Sequence, residues 1–359
     1  MSAHFKKSDA MGVFFIYAGR QGSNLECALA LHELARQSGF KSSLILSKDN
    51  SRADKIRKFY PDAEFFNFFS PNDIAKLRSL IGTGTAFFTM ISPKIVPLIL
   101  SLKSGKILYF HATYDLSLSQ SALRDLYFDF LHRVAIFNST ITLATQHPLA
   151  WQIKARLGKE AGVLPHPPYS PIAKGFFGEE AKVPLPFRDY FLNFGGIDRI
   201  SKGTQVLVRA VEGTNLDTVV AGKGSQIHGG KNLLHINRWL SDGELHFLIK
   251  HSKCVVLPYL TSSQFSGCLA LAFHFKKPVL APLSPTFEDW IVEGKTGWFF
   301  PQGDWAGLRD KMRRIAADGF PHSKPAIARL ERQMAHRTKV RLAQALASLQ
   351  HIHPPVIKQ

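Results

Sequence analysis

The second half of the 359-residue chain carries three short stretches whose residue types suit an anion. The first is Ser266-Gly267, between an apolar run Cys254–Pro258 and the helix-compatible Gly267–Phe275, with a second apolar run at Pro278–Ala281. Strand, helix and strand in that order make a βαβ unit. Its crossover is right-handed, so the loop 259–266 lies at the carboxyl end of its strand, where ligands of open α/β sheets bind. Ser266 suits the N-cap, and Gly267 opens the first helix amides to close approach at the positive end of the dipole. The loop is suited to a phosphate-bearing ligand, although any buried βαβ unit has such a loop and Ser-Gly is also an ordinary turn. The second stretch, Gly195 to Gly203, holds Gly196, Arg199 and Lys202 at another strand end. It is either a solvated basic loop or a pair of cations for an anionic ligand. The third, Gly222-Lys223-Gly224, is a tight turn where backbone approaches something closely.

The elements that must position these loops repeat along the chain. Apolar runs at 13–17, 43–47, 64–69, 85–90, 106–110, 140–145 and 161–164 alternate with helix-like segments, and a second series runs at 190–195, 217–221, 233–236, 254–258, 278–282 and 297–300. This pattern predicts α/β architecture with two Rossmann-like, doubly wound parallel sheets. The expected divisions are a first domain at 11–165, a Pro- and Gly-containing linker at 166–189, a second domain at 190–322, and a basic helix and tail at 323–359 packing back toward the first domain. Ser241 and Glu244 predict a capping box for the helix before Cys254.

Composition narrows the class. At 45% hydrophobic and 20% charged the chain is globular, and its length favours two domains. Its three cysteines, Cys27, Cys254 and Cys268, are too scattered for a disulfide framework or a zinc site, which implies a reducing, cytoplasmic setting and no metal. The first apolar run is too short for a signal sequence, and no stretch reaches the roughly 18 apolar residues of a membrane span. A formal charge of +18 calls for an anionic partner: nucleic acid, a membrane surface or a phosphorylated substrate. No nucleic-acid motif is present, so that partner is not expected.

Leu257-Pro258-Tyr259, Ser263-Gln264, Ser266-Gly267, Leu269-Ala270, Pro278-Val279 and Ala281 together resemble the donor-binding segment of the group 1 (family 4) glycosyltransferases. Glu293-Gly294-Lys295-Thr296-Gly297 is similar to that family's GxTG, and the Gly-rich strand end followed by Arg199 and Lys202-Gly203 is similar to its diphosphate-binding loop. The resemblance implies GT-B architecture, two domains facing a cleft. By it, Arg199 and Lys202 hold the donor diphosphate, and Gly196, Gly222, Gly224, Gln264, Ser266, Gly267 and Asp289 line the donor site. In the first half, Gly19-Arg20-Gln21-Gly22 follows the first strand as the family's glycine-rich loop does, making Gly19 and Gly22 donor-side positions. It is GxxG rather than GxGxxG, and no acidic residue ends the second strand, so a dinucleotide cofactor is not indicated and no cofactor is expected. His111 ends the strand 106–110 and resembles the family histidine that contacts the donor sugar; the other reading is a structural histidine satisfied by backbone. His166 resembles a residue of the turn entering the linker. The family's two glutamates fall at Ser263 and Leu271, neither of them acidic.

The activity so implied is metal-independent transfer of a sugar from a nucleoside diphosphate sugar, with retention, to a saccharide or lipid-linked acceptor of a cell-surface polysaccharide pathway. The alternative is a non-catalytic protein of the same fold that binds sugar nucleotide or an anionic partner. Lys48, Arg52, Lys55, Arg57 and Lys58 precede Phe65, Phe66, Phe68 and Phe69. A basic helix beside exposed aromatics suits an anionic membrane surface on the cytoplasmic face, while the same residues can be a solvated helix beside buried aromatics.

Overall fold

The computed structural model describes residues 12–19, 24–111, 122–225, 227–228, 230–261, 265–320 and 322–352. The chain divides into two compact units, one formed by the described residues up to Pro167 together with those from Ala335 onward, the other by Pro168–Met334.

The first unit is built on strands β1 (Val13–Tyr17), β2 (Ser42–Ser47), β3 (Glu64–Phe66), β4 (Thr85–Phe88), β5 (Lys106–Phe110), β6 (Ile141–Ala144) and β7 (Gly162–Val163). They form one parallel sheet in the order β3-β2-β1-β4-β5-β6-β7. Helices cover both faces of such a sheet, so its strands must be apolar throughout rather than alternating. Phe15 and Ile16 of β1, Ala86 to Phe88 of β4 and Ile107 and Leu108 of β5 accordingly have no exposed surface.

The second unit repeats the plan with β8 (Phe191–Phe194), β9 (Thr218–Ala221), β10 (Leu233–Ile236), β11 (Cys254–Val256), β12 (Val279–Pro282) and β13 (Gly297–Phe300). The order is β10-β9-β8-β11-β12-β13, again parallel. In each sheet the first strand in the chain lies inside the order, and the winding reverses around it. That reversal opens a crevice at the carboxyl edge, between β8 and β11 in the second unit. The expected capping box is present: the Ser241 hydroxyl accepts from the Glu244 amide, and the Glu244 carboxylate accepts from the Ser241 amide at 2.9 Å.

Three expectations need correction. The stretch expected as a linker, 166–189, does not stand apart: from Pro168 it belongs to the second unit, and Tyr169, Ile172, Phe176, Phe177 and Val183 are buried. Its prolines and glycines forbid regular structure but leave its aromatics free to pack. The C-terminal segment is not a separate piece either, because its helix, Ser323–Ile352, is divided between the units at Met334. In the second unit Lys276 pairs with the buried Glu331, and in the first the Thr338 hydroxyl donates to the Pro165 carbonyl at 3.2 Å while Leu342, Leu346 and Leu349 are buried. Lastly, the strand expected over 64–69 ends at Phe66. Asn67 starts a turn there, its amide bonded to the Asp73 carboxylate at 2.8 Å and its side chain accepting from the Phe69 amide at 3.0 Å.

Candidate functional site

At the carboxyl edge of the second sheet the main chain is folded unusually close on itself, and glycines make this possible. Gly203 has φ of +62°, and a Cβ there would lie 1.8 Å from the Pro258 carbonyl oxygen. At Gly222, φ +152°, a Cβ would lie 2.1 Å from the Gly195 oxygen. No side chain fits either place. The loop after β8 is thereby clamped on both sides, against the end of β9 and against the segment after β11. Gly224 closes the same region, its amide donating to the Asn237 side chain at 3.1 Å and its α-carbon facing Asp198.

Lys202 is the last residue before this clamp. Its ammonium lies 3.8 Å from the centre of the Tyr259 ring, and the Tyr259 hydroxyl is 2.8 Å from that of Ser266. Ser266 in turn caps the helix Gly267–His274, accepting from the Leu269 amide at 3.3 Å. The sequence places these three residues far apart; the sheet brings the cation, the aromatic ring and the helix start together. Burial holds the Lys202 ammonium below the ordinary lysine value, with the nearby Cys268 working against the shift and Arg199 adding to it. A cation held over an aromatic face away from water gains about 2 kcal/mol from that contact, yet the face supplies no counter-charge. An anion is complementary to such a cation, and the first amides of the Gly267 helix favour one from the backbone side.

Cys268 adds a thiol at this spot. Burial pushes it up, so it is neutral, and it lies against the Phe194 carbonyl at 3.4 Å. Arg199 is exposed, at the start of the short 3-10 turn Ile200–Lys202, and Gly196 lies just ahead of it. The structure therefore brings together Gly196, Arg199, Lys202, Gly222, Gly224, Ser266 and Gly267 at the ends of three strands adjacent in the sheet, β8, β9 and β11. Gln264 and Gly22 lie outside the described residues. Asp289 follows the four-residue helix Pro285–Glu288 and is exposed, as is Glu288. Leu271, where a family glutamate would stand, is half-buried on the Gly267 helix.

The 293–297 motif has a structural reason. Thr296 accepts from the Val292 amide at 2.8 Å and donates to the Trp290 carbonyl at 3.2 Å, while a Cβ at Gly297 would lie 2.1 Å from the Val279 oxygen. The motif closes β13 onto β12. Sequence reasoning quoted Tyr259 without giving it a role, and gave none to Cys268. Tyr259 carried a signal, a large polar aromatic directly after the strand-ending Leu257-Pro258.

The first unit presents a different edge. Gly19 is buried at the end of β1: Asn50 donates to its carbonyl at 3.0 Å, and a Cβ would collide with the Tyr17 hydroxyl at 2.3 Å. His111 stands at the end of β5 with its ring against Tyr109 and His166, at centroid distances of 4.7 and 5.4 Å. Its Nε2 is buried and bonded to nothing among the described residues. Burial lowers its pKa to about 4, a hydrogen bond with the Thr89 backbone opposing the shift. Any part His111 plays in chemistry at neutral pH is that of a neutral hydrogen-bonding group. His166 is buried too, its Nδ1 2.8 Å from the Pro167 carbonyl. Ligand atoms of Cys27, His111 and His166 lie within 4.8 Å of one another, a donor set that suits a soft cation better than magnesium.

The basic helix of this unit is less free than its sequence implied. Arg52 pairs with Glu26, Lys48 with Asp73 at 2.9 Å, and Arg57 with Asp54 at 2.9 Å while lying 4.4 Å over the Phe65 ring. Of the four phenylalanines Phe68 is buried and Phe69 exposed. No helix among the described residues is long and apolar enough to cross a membrane.

Residues 188–318 match the family of glycosyl transferases, group 1. No curated protein sequence matches the chain. Among solved structures, HepE of Anabaena in complex with UDP and glucose superposes with a TM-score of 0.69 at 12% identity, covering 96% of this chain and 100% of that one. Sucrose-phosphate synthase of Thermosynechococcus elongatus gives 0.67 at 15% identity, with 96% and 100% covered. A glycosyltransferase of Rickettsia africae gives 0.64 at 12% identity, with 97% and 100% covered. At these identities the likeness is one of fold, and the fold is GT-B.

Proposed function

We propose that this chain, whose residues 188–318 belong to the group 1 glycosyl transferases, moves a sugar from a nucleoside diphosphate sugar to an acceptor hydroxyl. The observation that carries the reading is the Lys202 ammonium held over Tyr259 beside the Ser266-capped helix start, a cation that pairs with no carboxylate among the described residues. In the reaction the bond between the anomeric carbon and the β-phosphate oxygen breaks, and the acceptor oxygen forms the new bond to that carbon. The acceptor proton passes to the leaving phosphate oxygen, on the same face of the sugar, so the configuration is retained. Charge grows on the diphosphate as the bond breaks, and Lys202, Arg199 and the Gly267 helix amides stabilise it there. These groups take the place of a divalent cation, so the transfer is metal-independent. Gly222 and Gly224 let the chain pack closely enough to shape the donor loop, and Gly196 lies beside them at the end of β8. Asp289 is the acidic group offered to the rest of the donor.

HepE was captured with UDP and glucose, which makes UDP-glucose the first donor to test. The acceptor belongs to the first unit, and a lipid-linked saccharide on the cytoplasmic membrane face suits its cations and its exposed Phe69. The test is hydrolysis and transfer with a panel of nucleotide sugars, reading the anomeric configuration of the product by NMR. Release of nucleoside diphosphate from one donor, dependent on Lys202, supports the reading; no release from any removes it. A second reading, a non-catalytic binder of sugar nucleotide, is favoured by Leu271 standing where the family has a glutamate. It predicts donor binding without turnover in the same assay.

A further inference from the structure

The first unit holds a cavity of about 380 Å³ that plays no part in the donor site. It lies where the loops after β3 and β4 meet, on the carboxyl edge of a parallel sheet, the edge at which open α/β sheets take ligands. Its volume falls in the range of small-molecule pockets. The wall is apolar: Phe69, Ile74, Ala75, Pro93 and Pro97. Phe69 is 69% exposed, a large hydrophobic ring left at the mouth rather than folded into the core beside its neighbour Phe68.

Two cations complete the lining, Arg78 and Lys94. They differ in what they have left to give. Lys94 bonds the Asp49 carboxylate at 2.8 Å and lies 5.0 Å over the Phe69 ring, so its charge is answered. The Arg78 guanidinium is exposed, one helical turn beyond Ile74, and makes no ion pair among the described residues. An apolar hollow with one unanswered guanidinium at its rim is complementary to an amphiphile: a hydrocarbon portion in the hollow and an anionic group, best a phosphate that can accept two parallel N–H bonds, on Arg78.

We infer that this pocket binds the hydrocarbon portion of a phosphate-bearing amphiphilic acceptor, with Arg78 on its phosphate. The word acceptor rests on the transferase reading above; the binding does not. The gain from burying hydrocarbon grows with the area removed from water, so a chain that fills the pocket contributes more than the rim contact alone. The ammonium of Lys94, tied to Asp49, holds Phe69 in place as part of the wall. Phosphate without a hydrocarbon portion meets only one surface arginine.

The probe is dodecyl phosphate below its micelle concentration, titrated into the full chain by calorimetry, with inorganic phosphate and dodecyl maltoside as separate titrants. Dodecyl phosphate should bind one per chain, inorganic phosphate should not compete at tenfold excess, and dodecyl maltoside should bind at least tenfold more weakly. Ala75→Trp fills the hollow from an exposed helix position and should weaken dodecyl phosphate at least tenfold. Arg78→Glu should weaken dodecyl phosphate by a similar factor while leaving dodecyl maltoside unchanged. UDP-glucose affinity should be the same in both variants, which also shows that they are folded. Wild-type affinity for dodecyl phosphate in Ala75→Trp, or displacement of the probe by inorganic phosphate, overturns the assignment. Absence of UDP-glucose binding in every protein would count against the donor reading and leave this one standing.

Discussion

The carboxyl edges of the two sheets start from the same strand order and arrive at opposite constructions. In the second unit the edge is made by main chain: Gly203 and Gly222 sit where a single methyl would strike a carbonyl oxygen, and the cation Lys202 is packed over Tyr259 against a helix start. In the first unit the edge is made by side chains, with Arg52 on Glu26, Lys94 on Asp49, His111 among other rings, and an apolar hollow between two loops. On the proposed function, the difference matches two kinds of ligand. The diphosphate is the same in every nucleoside diphosphate sugar, and a backbone cradle of fixed shape suits it. A pocket built from side chains can be re-cut by single substitutions, which suits the ligand that differs from one transferase to the next.

The comparison breaks first if the ion pairs of the first edge prove dispensable. Arg52→Glu sets a second carboxylate against Glu26 in a largely enclosed position and should cost about 3 kcal/mol of stability. Urea unfolding measures it, and a midpoint equal to that of the parent chain would show the pair to be idle. In the second unit Lys202→Ala should lower kcat/KM for the donor about a hundredfold, or ~2.7 kcal/mol, with little change in melting temperature. Near-normal turnover would take Lys202 out of the site. Because burial depresses the Lys202 pKa, the parent enzyme should lose kcat/KM on an alkaline limb that begins below the ordinary lysine value, and Lys202→Arg should lack that limb.

A smaller effect separates the edges by acid. His111, with a folded-state pKa of about 4 against an ordinary 6.5, is neutral in the folded protein and takes up a proton on unfolding. Its neutral form is therefore fully stabilising above pH 6.5, and stability declines as pH falls from there toward 4, by up to about 1.4 kcal/mol per pH unit. Urea midpoints at pH 7.5 and 5 test this, and His111→Gln should reduce the slope by one histidine's share, since His32, His132 and His274 are lowered to about 4 as well. The smallest expected effect is none at all: withholding magnesium and manganese, or adding EDTA to the assay, should leave turnover unchanged if lysine, arginine and a helix terminus answer the diphosphate as proposed. Strict dependence on either ion would mean that the second edge lacks part of what binds its ligand.

Much of this was legible in the sequence, for reasons that differ by residue. Strands buried on both faces read as apolar runs, as β1 and β5 do, and the edge strands β10 and β13 also have the expected bounds. Ser241 with Glu244 and Ser266 as N-cap are local patterns, decided within four residues. What is local in chain is visible in chain. Phe69 was misplaced because the turn at Asn67 is held by Asp73, across a loop that hydrophobicity does not mark. The stretch 166–189 was read as a linker because proline reports on backbone and says nothing of where Tyr169 and Phe176 bury themselves. Lys202 was legible by resemblance to a family loop, while the ring beneath it, 57 positions away, became visible only when the sheet set two loops side by side. Arg52 looked like surface charge for a membrane because Glu26 stands on another helix.

The divided final helix bears on the order of events during synthesis. Leu342, Leu346 and Leu349 belong to the core of the first unit, yet every residue of the second unit is made before them. A ribosome delivering this chain presents an N-terminal sheet that stays open along the place of that helix until the whole second unit has emerged. Folding by units from the N-terminus, the usual course for multidomain chains, is thus closed to the first unit here. Its contacts between Gly105 and Leu349 are among the most distant in the chain, so loop-closure entropy slows them further. The second unit, assembled from one continuous stretch, is the one that can be complete first.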